Sequence, residues 1–211
     1  MIVTKVTKLG KARYLIKLDT GISFPLYQAE MNRFDTKEGS DLSDGALDEI
    51  MTRILPSRCI KRAMNLLQKK NYAEGELRTK LTDGGYPEDV TDKAVEYVRS
   101  FGYIDDVRYA ADYIRYHSSQ GRGKNRIRLE LRAKGISDES FDKAWNEMEE
   151  VGLIADTGAQ IFKLLEKKHF SPDMERADKD KIAAFIMRRG FSSEDIFRAM
   201  KSFPESCLQE I

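Results

Sequence analysis

The sequence has little of what most often carries chemistry or spans a membrane. Its 211 residues include two cysteines, two histidines and one tryptophan. Cys59 and Cys207 stand in no metal-like spacing with each other or with His117 and His169. Two thiols in a chain this long make no disulfide framework, so the expected compartment is a reducing cytoplasm. No apolar run approaches the ~18–20 residues that cross a bilayer, and Met1 opens onto a strand-like segment rather than a signal-peptide core. No serine pair has a base or an oxyanion loop in recognisable spacing, and Asp105-Asp106 sits where a helix starts, as an N-cap and first-turn acid do. These absences argue against an enzyme, a cofactor, a metal, a small-molecule substrate or a membrane as partner.

Charge, by contrast, is plentiful. Charged residues make up 34% and apolar residues 41%, which suggests long solvated helices rather than one thick core. The formal net charge of +1 hides a polarised middle. Arg108–Lys134 carries eight basic against two acidic residues, and Ile136–Gln160 seven acidic against one basic. Such polarity steers association with charged partners.

Residues 1–27 are rich in β-branched and aromatic residues, with Asp19-Thr20-Gly21 as a turn and Pro25 demoting the last strand to an edge. They read as a small β-meander, too small to be stable unless it packs on something. A linking helical segment follows over 28–56, with one helix near Asp44–Leu55.

The remainder repeats itself. Leu77, Leu81, Gly85 recur as Ile127, Leu131, Gly135 and as Ile182, Ile186, Gly190, each followed by an apolar residue: Tyr86, Ile136, Phe191. Two apolar residues one helical turn apart, then a glycine four further on, predict a helix ending in a Schellman stop. A third helix then starts at Pro87, Ser137 or Ser192, with stripes Val90, Ala94, Tyr97; Phe141, Ala144, Trp145, Met148; and Ile196, Ala199, Met200, Phe203. Each spine is preceded by another amphipathic helix: Ile60, Ala63, Met64, Leu67; Val107, Ala110, Ala111, Ile114; and Ile161, Phe162, Leu165. The predicted fold is mainly α: three tandem three-helix repeats over 57–104, 105–153 and 154–211, in an elongated array.

The stretch Ser118–Ser137 invites comparison with a phosphate loop. It fails: Asn125 follows Gly123-Lys124 where a hydroxyl is needed, Ser118 occupies the first glycine position, and the preceding segment is helical. Gly121 and Gly123 then read as a flexible entry to the helix, with Ile127 and Leu131 on its core face. Folding leaves the basic set unexplained, because the spine helix of the first repeat is slightly acidic. The partner-binding candidates are therefore Arg115, Arg122, Lys124, Arg126, Arg128, Arg132 and Lys134, with Lys181, Arg188 and Arg189 of the third repeat. Phosphates or an acidic protein groove suit them equally, and the acidic third helix of repeat two is expected to meet a partner face of opposite sign.

Four stretches together carry a family resemblance over roughly residues 40–203. They are Glu76-Leu77…Lys80-Leu81; Gly102-Tyr103-Ile104-Asp105-Asp106…Arg108-Tyr109-Ala110; Gly121…Gly123…Arg126-Ile127…Glu130-Leu131…Lys134-Gly135-Ile136; and Arg189-Gly190-Phe191…Asp195-Ile196. In order and spacing they resemble the RecX family of bacterial regulators of the RecA recombinase. The resemblance implies a non-enzymatic monomer that lodges in the groove of the RecA–DNA filament. There it limits growth or promotes disassembly, lowering ATPase, strand exchange and coprotease activity. Direct binding of single- or double-stranded DNA through the basic helices is the alternative. Ala73 stands where the family often has a capping serine, and His117 where it often has arginine.

Overall fold

The computed structural model describes residues 1–154 and 156–203; Cys207 lies outside them. The chain forms two compact units, Met1–Asp105 and Asp106–Ile211. No helix of the described residues is long and apolar enough to cross a membrane.

In the first unit β1 (Val3–Lys8), β2 (Arg13–Leu18) and β3 (Ser23–Tyr27) form an antiparallel meander in the order β1-β2-β3. Ile16 pairs with Val6 on one side and with Phe24 on the other. Val3, Ile16, Leu18, Phe24 and Leu26 are buried. Pro25 lies on the edge strand, where its missing N–H breaks no ladder. The helices are α1 (Gln28–Phe34), α2 (Asp44–Glu49), a π-helical turn (Ile50–Ile54), α3 (Leu55–Leu67), α4 (Glu74–Thr82) and α5 (Glu88–Ser100). The sheet finds the support so small a meander needs, because its apolar face shares one core with Leu55, Leu77, Leu81 and Val90.

Two helical stripes differ from expectation by a step. The buried face of α3 runs Leu55, Cys59, Ala63, Leu66, with Ile60, Met64 and Leu67 half-buried beside it. That of α5 runs Val90, Ala94, Val98. Val98 holds the four-residue step from Ala94, leaving Tyr97 outside, where its ring lies 4.9 Å from that of Phe101.

The second unit contains α6 (Asp106–Ser119), α7 (Lys124–Ala133), α8 (Asp138–Glu150), α9 (Thr157–Lys167), α10 (Arg176–Arg188) and α11 (Ser193–Lys201). Ile127, Leu131, Phe141, Ala144, Trp145 and Met148 are buried as their spacing predicts. The core cluster around Ile161, Leu165, Ile186 and Phe191 draws on third-repeat residues only. Ser137 and Ser192 cap α8 and α11, each hydroxyl accepting from a backbone N–H at 3.1 Å.

The glycine stops form as the spacing predicts. Gly85, Gly135 and Gly190 have φ of +87°, +87° and +94°. Behind the first two, the Tyr86 N–H donates to Leu81 O at 3.3 Å and the Ile136 N–H to Leu131 O at 3.1 Å, the long bond of a Schellman motif. His169 holds the same place after α9 with φ +52°, and the Phe170 N–H donates back to Leu165 O at 3.0 Å.

Gly123 is no flexible entry. It is buried, and a Cβ there would lie 2.5 Å from the backbone carbonyl atoms of Gly190. The Gly123 N–H donates to Arg189 O at 2.8 Å and the Asn125 N–H to Gly190 O at 3.1 Å. The first turn of α7 has no side-chain cap, so carbonyls at the end of α10 satisfy N–H groups that a helix start leaves orphaned. The opposed helix ends also bring complementary partial charges together. A Cβ at Gly190 would lie 2.4 Å from the Arg126 N and Cβ atoms, so the contact excludes side chains from both directions.

Gly123→Ala carries no φ penalty and should cost about 1–3 kcal/mol by overpacking alone. Gly190→Ala should cost more, because a left-handed alanine adds about 1–2 kcal/mol. Gly102→Ala, at φ +71° with open space around it, isolates that conformational cost. Thermal unfolding should show Gly190→Ala melting below both other variants.

Candidate partner-binding site

The basic residues singled out from the sequence separate into three groups. The first closes on acids of its own repeat. Arg128, on α7, pairs with Asp142 of α8 and lies over the Phe141 ring at 4.7 Å; Arg132 pairs with Asp138. Arg78 of α4 pairs in the same way with Asp92 of α5. Both Arg–Asp pairs span fourteen residues, and both arginines directly follow the first spine residue, Leu77 or Ile127. They are one brace built twice, tying a spine helix to the helix after it. In the third repeat Ala183 and Phe197 take these places. The acidic α8 and basic α7 therefore turn part of their charge on each other.

The second group is held locally. Arg115 pairs with Asp112 at 3.0 Å and Lys181 with Asp178 at 2.8 Å, both on exposed helix surface. Lys124 lies over the Trp145 ring at 4.7 Å and Lys134 over Tyr113 at 5.8 Å. The two exposed ion pairs contribute about 0–1 kcal/mol each and leave Arg115 and Lys181 accessible.

The third group converges. Arg122 and Arg126 of the second repeat line one cleft with Arg188 and Arg189 of the third. The cleft is open to solvent, has a volume of about 620 Å³ and is also lined by Tyr116, His117, Gln120 and Phe185. Glu130 is the carboxylate that answers these guanidinium groups, with Arg122 at 2.6 Å and Arg126 at 2.9 Å. The Tyr113 hydroxyl donates to the same carboxylate at 3.0 Å. Burial works against ionised Glu130, but the hydrogen bonds from Arg126, Arg122 and Tyr113 outweigh it and hold its carboxyl below the ordinary value. Arg126 also donates to Arg188 O at 3.4 Å, across the contact made by the two glycines. Arg188 has no ion-pair partner among the described residues.

His117 lies beside this cluster, its ring centroid 3.9 Å from Tyr113 and 4.9 Å from Tyr116. Its Nδ1 is buried without a hydrogen-bond partner among the described residues. Burial first, then the positive charges of Arg122 and Lys134, lower its pKa below the ordinary 6.5, against the opposing pull of Glu130. Elsewhere the signals for chemistry are weak. Burial pushes the Cys59 thiol up to about 12, far from a reactive thiolate, and the described residues hold no group of three His, Cys, Asp or Glu arranged to take a metal.

Sequence reading missed the Arg–Asp brace, although its signal was present as one fourteen-residue offset in two repeats. It also missed Tyr116 and Phe185, which carry no pattern of their own and enter the site only because two repeats meet.

Two outcomes follow. Arg128→Ala should cost about 1–2 kcal/mol in urea unfolding, much of it from the cation–π contact. Its coupling to Asp142→Ala in a double-mutant cycle should stay below about 1 kcal/mol, because both groups are partly exposed. For His117 the unfolded chain binds the extra proton more readily, so its contribution to stability is complete above pH 6.5 and falls as pH drops through the lowered folded value. Between pH 7.5 and 5.5 the wild-type Tm should therefore fall further than that of His117→Gln.

Comparison with known proteins places this arrangement. Residues 59–97, 105–144 and 156–200 match, in order, the family models described as the first, second and third three-helix domains of RecX. The regulatory protein RecX of Vibrio vulnificus (strain CMCP6) is 33% identical over 144 residues, covering 67% of this chain and 90% of that protein. The regulatory protein RecX of Limosilactobacillus reuteri (strain DSM 20016) is 28% identical over 199 residues, covering 90% of this chain and 74% of that protein. Among solved structures, a crystal structure of regulatory protein RecX superposes with a TM-score of 0.61 at 26% identity, over 95% of this chain and 98% of that one. With all three domains matched in order on a mainly helical fold, the chain belongs to the RecX family of regulatory proteins.

Proposed function

We propose that this protein is a non-enzymatic regulator that binds the groove of the RecA–DNA filament and restrains filament growth, with ATPase, strand exchange and coprotease activity falling as a consequence. The observation that carries this reading is the presence of all three family domains in order, together with cationic side chains that their own fold does not neutralise. A filament groove is lined by repeating protein subunits around phosphate-rich DNA. Several small basic surfaces on one chain suit such a target better than one deep pocket, because each contact is weak and screened alone while several act as an effective local concentration.

The roles divide by what each cation already does. Arg122 and Arg126 share one carboxylate, while Arg188 has no acidic partner among the described residues, so these guanidiniums keep charge for an external acceptor. Arg115, Lys124 and Lys181 stand in weak local contacts that a stronger partner displaces at little cost. Arg132 joins them on its exposed side, whereas Arg128 is largely occupied in bracing α7 against α8. A second reading, direct DNA binding through the basic helices of the second and third repeats, is supported by the grouping of Arg188 and Arg189 at the end of α10. Binding by that route must weaken steeply with salt.

Titrating the protein into a single-strand-dependent RecA ATPase assay should lower the rate, and an unchanged rate at saturating protein would refute the filament reading. Reversing Arg188 to Glu should weaken filament binding at least tenfold while shifting Tm by only a few degrees, because no described acid pairs with it. Tight, salt-sensitive affinity for DNA without RecA would instead favour the second reading.

A further inference from the structure

We propose that the cleft where the second and third repeats meet is a binding site for a nucleotide, taking its phosphate on the arginines and its base against the exposed aromatic ring at the edge. This rests on the cleft itself and not on the filament reading.

The volume, about 620 Å³, falls within the roughly 300–1,000 Å³ typical of small-molecule sites. The charge is not balanced from within, since Arg122, Arg126, Arg188 and Arg189 line the cleft and Glu130 engages only the first two. Guanidinium forks match the oxygens of a phosphate in paired hydrogen bonds, which a surface lysine cannot reproduce. Positions are also set in advance. Arg189 lies 5.1 Å from the Phe185 ring centroid and Lys168 4.5 Å from the same ring, so Phe185 seats one of the phosphate-binding groups. The Arg126 backbone is fixed against Gly190 by a contact too close for any side chain. An anion held there meets groups that lose little freedom on binding.

The aromatic content separates a nucleotide from an acidic peptide. Tyr116 lines the cleft while 63% exposed, and a free ring face at the edge of a cationic site suits the stacking of a planar base. The lining offers no aliphatic pocket for the side chains that give peptides their grip. His117 reports on occupancy. Its ring is flanked by Tyr113 and Tyr116 on its own helix and faces Arg122, Glu130 and Lys134 across it, so an added dianion nearby stabilises the imidazolium. A cleft sized for one small molecule suits a free nucleotide, and that is the occupant proposed.

The test uses the full chain without any recombinase. ATP, a fluorescent twelve-residue oligo(dT) and a poly-glutamate peptide of matched charge are titrated separately, and the His117 imidazole is followed by NMR against pH. Expected is saturable binding of ATP. Arg188→Glu should weaken it at least tenfold and Tyr116→Ala several-fold, and Arg198→Glu, on α11 outside the cleft, should leave it unchanged. The bound probe should raise the His117 midpoint in the wild-type protein. Binding of the oligonucleotide but not of ATP would be the direct DNA binding of the second reading and would overturn the proposal. It is likewise overturned if ATP does not bind at millimolar concentration, if Arg188→Glu binds as well as wild type, if the His117 midpoint does not move, or if poly-glutamate binds as tightly as ATP. Because Arg188 is exposed and unpaired by any described acid, its reversal should not unfold the chain; the wild-type His117 titration decides independently if it does.

Discussion

The mutual capping of two helix ends at Gly123 and Gly190 is the constraint on which the second unit depends. One helix starts without a side-chain cap, and another ends within hydrogen-bond reach of it. Backbone meets backbone, so the contact leaves no room for adjustment by rotamer change, and both positions require glycine for steric reasons. Its energetic weight lies less in two hydrogen bonds, each worth about 0.5–1.5 kcal/mol net, than in what it fixes. It sets Arg126 beside the carbonyl of Arg188 and brings together residues that neither repeat could assemble alone.

Charge in this molecule is organised at two ranges. At short range, Arg78 with Asp92 and Arg128 with Asp142 tie successive helices of a repeat together. Part of the apparent polarity between the basic and acidic halves of the second repeat is taken up this way, so the net charge of a segment overstates the field it presents outside. At longer range, the guanidiniums around Glu130 exceed what one carboxylate can neutralise. The distinction is between cations that complete a helix pair and cations gathered where two repeats adjoin.

The helices, their stops and most of their buried faces were legible because they are local. Leu81, Gly85 and Tyr86 announce a helix end within six residues, and Ser137 or Ser192 the next start, through bonds that span only a few positions. The partnership of the sheet with the first repeat followed only as a need for support, since periodicity tells that an apolar face must be covered but not by what. Gly123 was misread for a related reason. Its crowding comes from Gly190, distant in sequence, and a glycine kept for lack of space looks on paper like one kept for freedom of φ. Tyr97 was placed inside because its spacing fits a stripe, but Val98 fits one equally well and leaves the larger, polar-tipped ring at the surface.

Of the candidate site, the sequence exposed the cations and concealed their partners. Arg128 looked available because Asp142 lies on another helix, and Arg122 looked like one of many although it shares Glu130 with Arg126. The repeated brace also shows how duplication frees a position. A paired arginine and aspartate are mutually satisfied, and to an approaching molecule they are nearly silent. In the third copy Ala183 and Phe197 stand in their place, and Phe197 is exposed. The same scaffold coordinate carries an inward-looking electrostatic latch in two copies and an exposed aromatic ring in the third, so the three copies share a framework while differing in what they display.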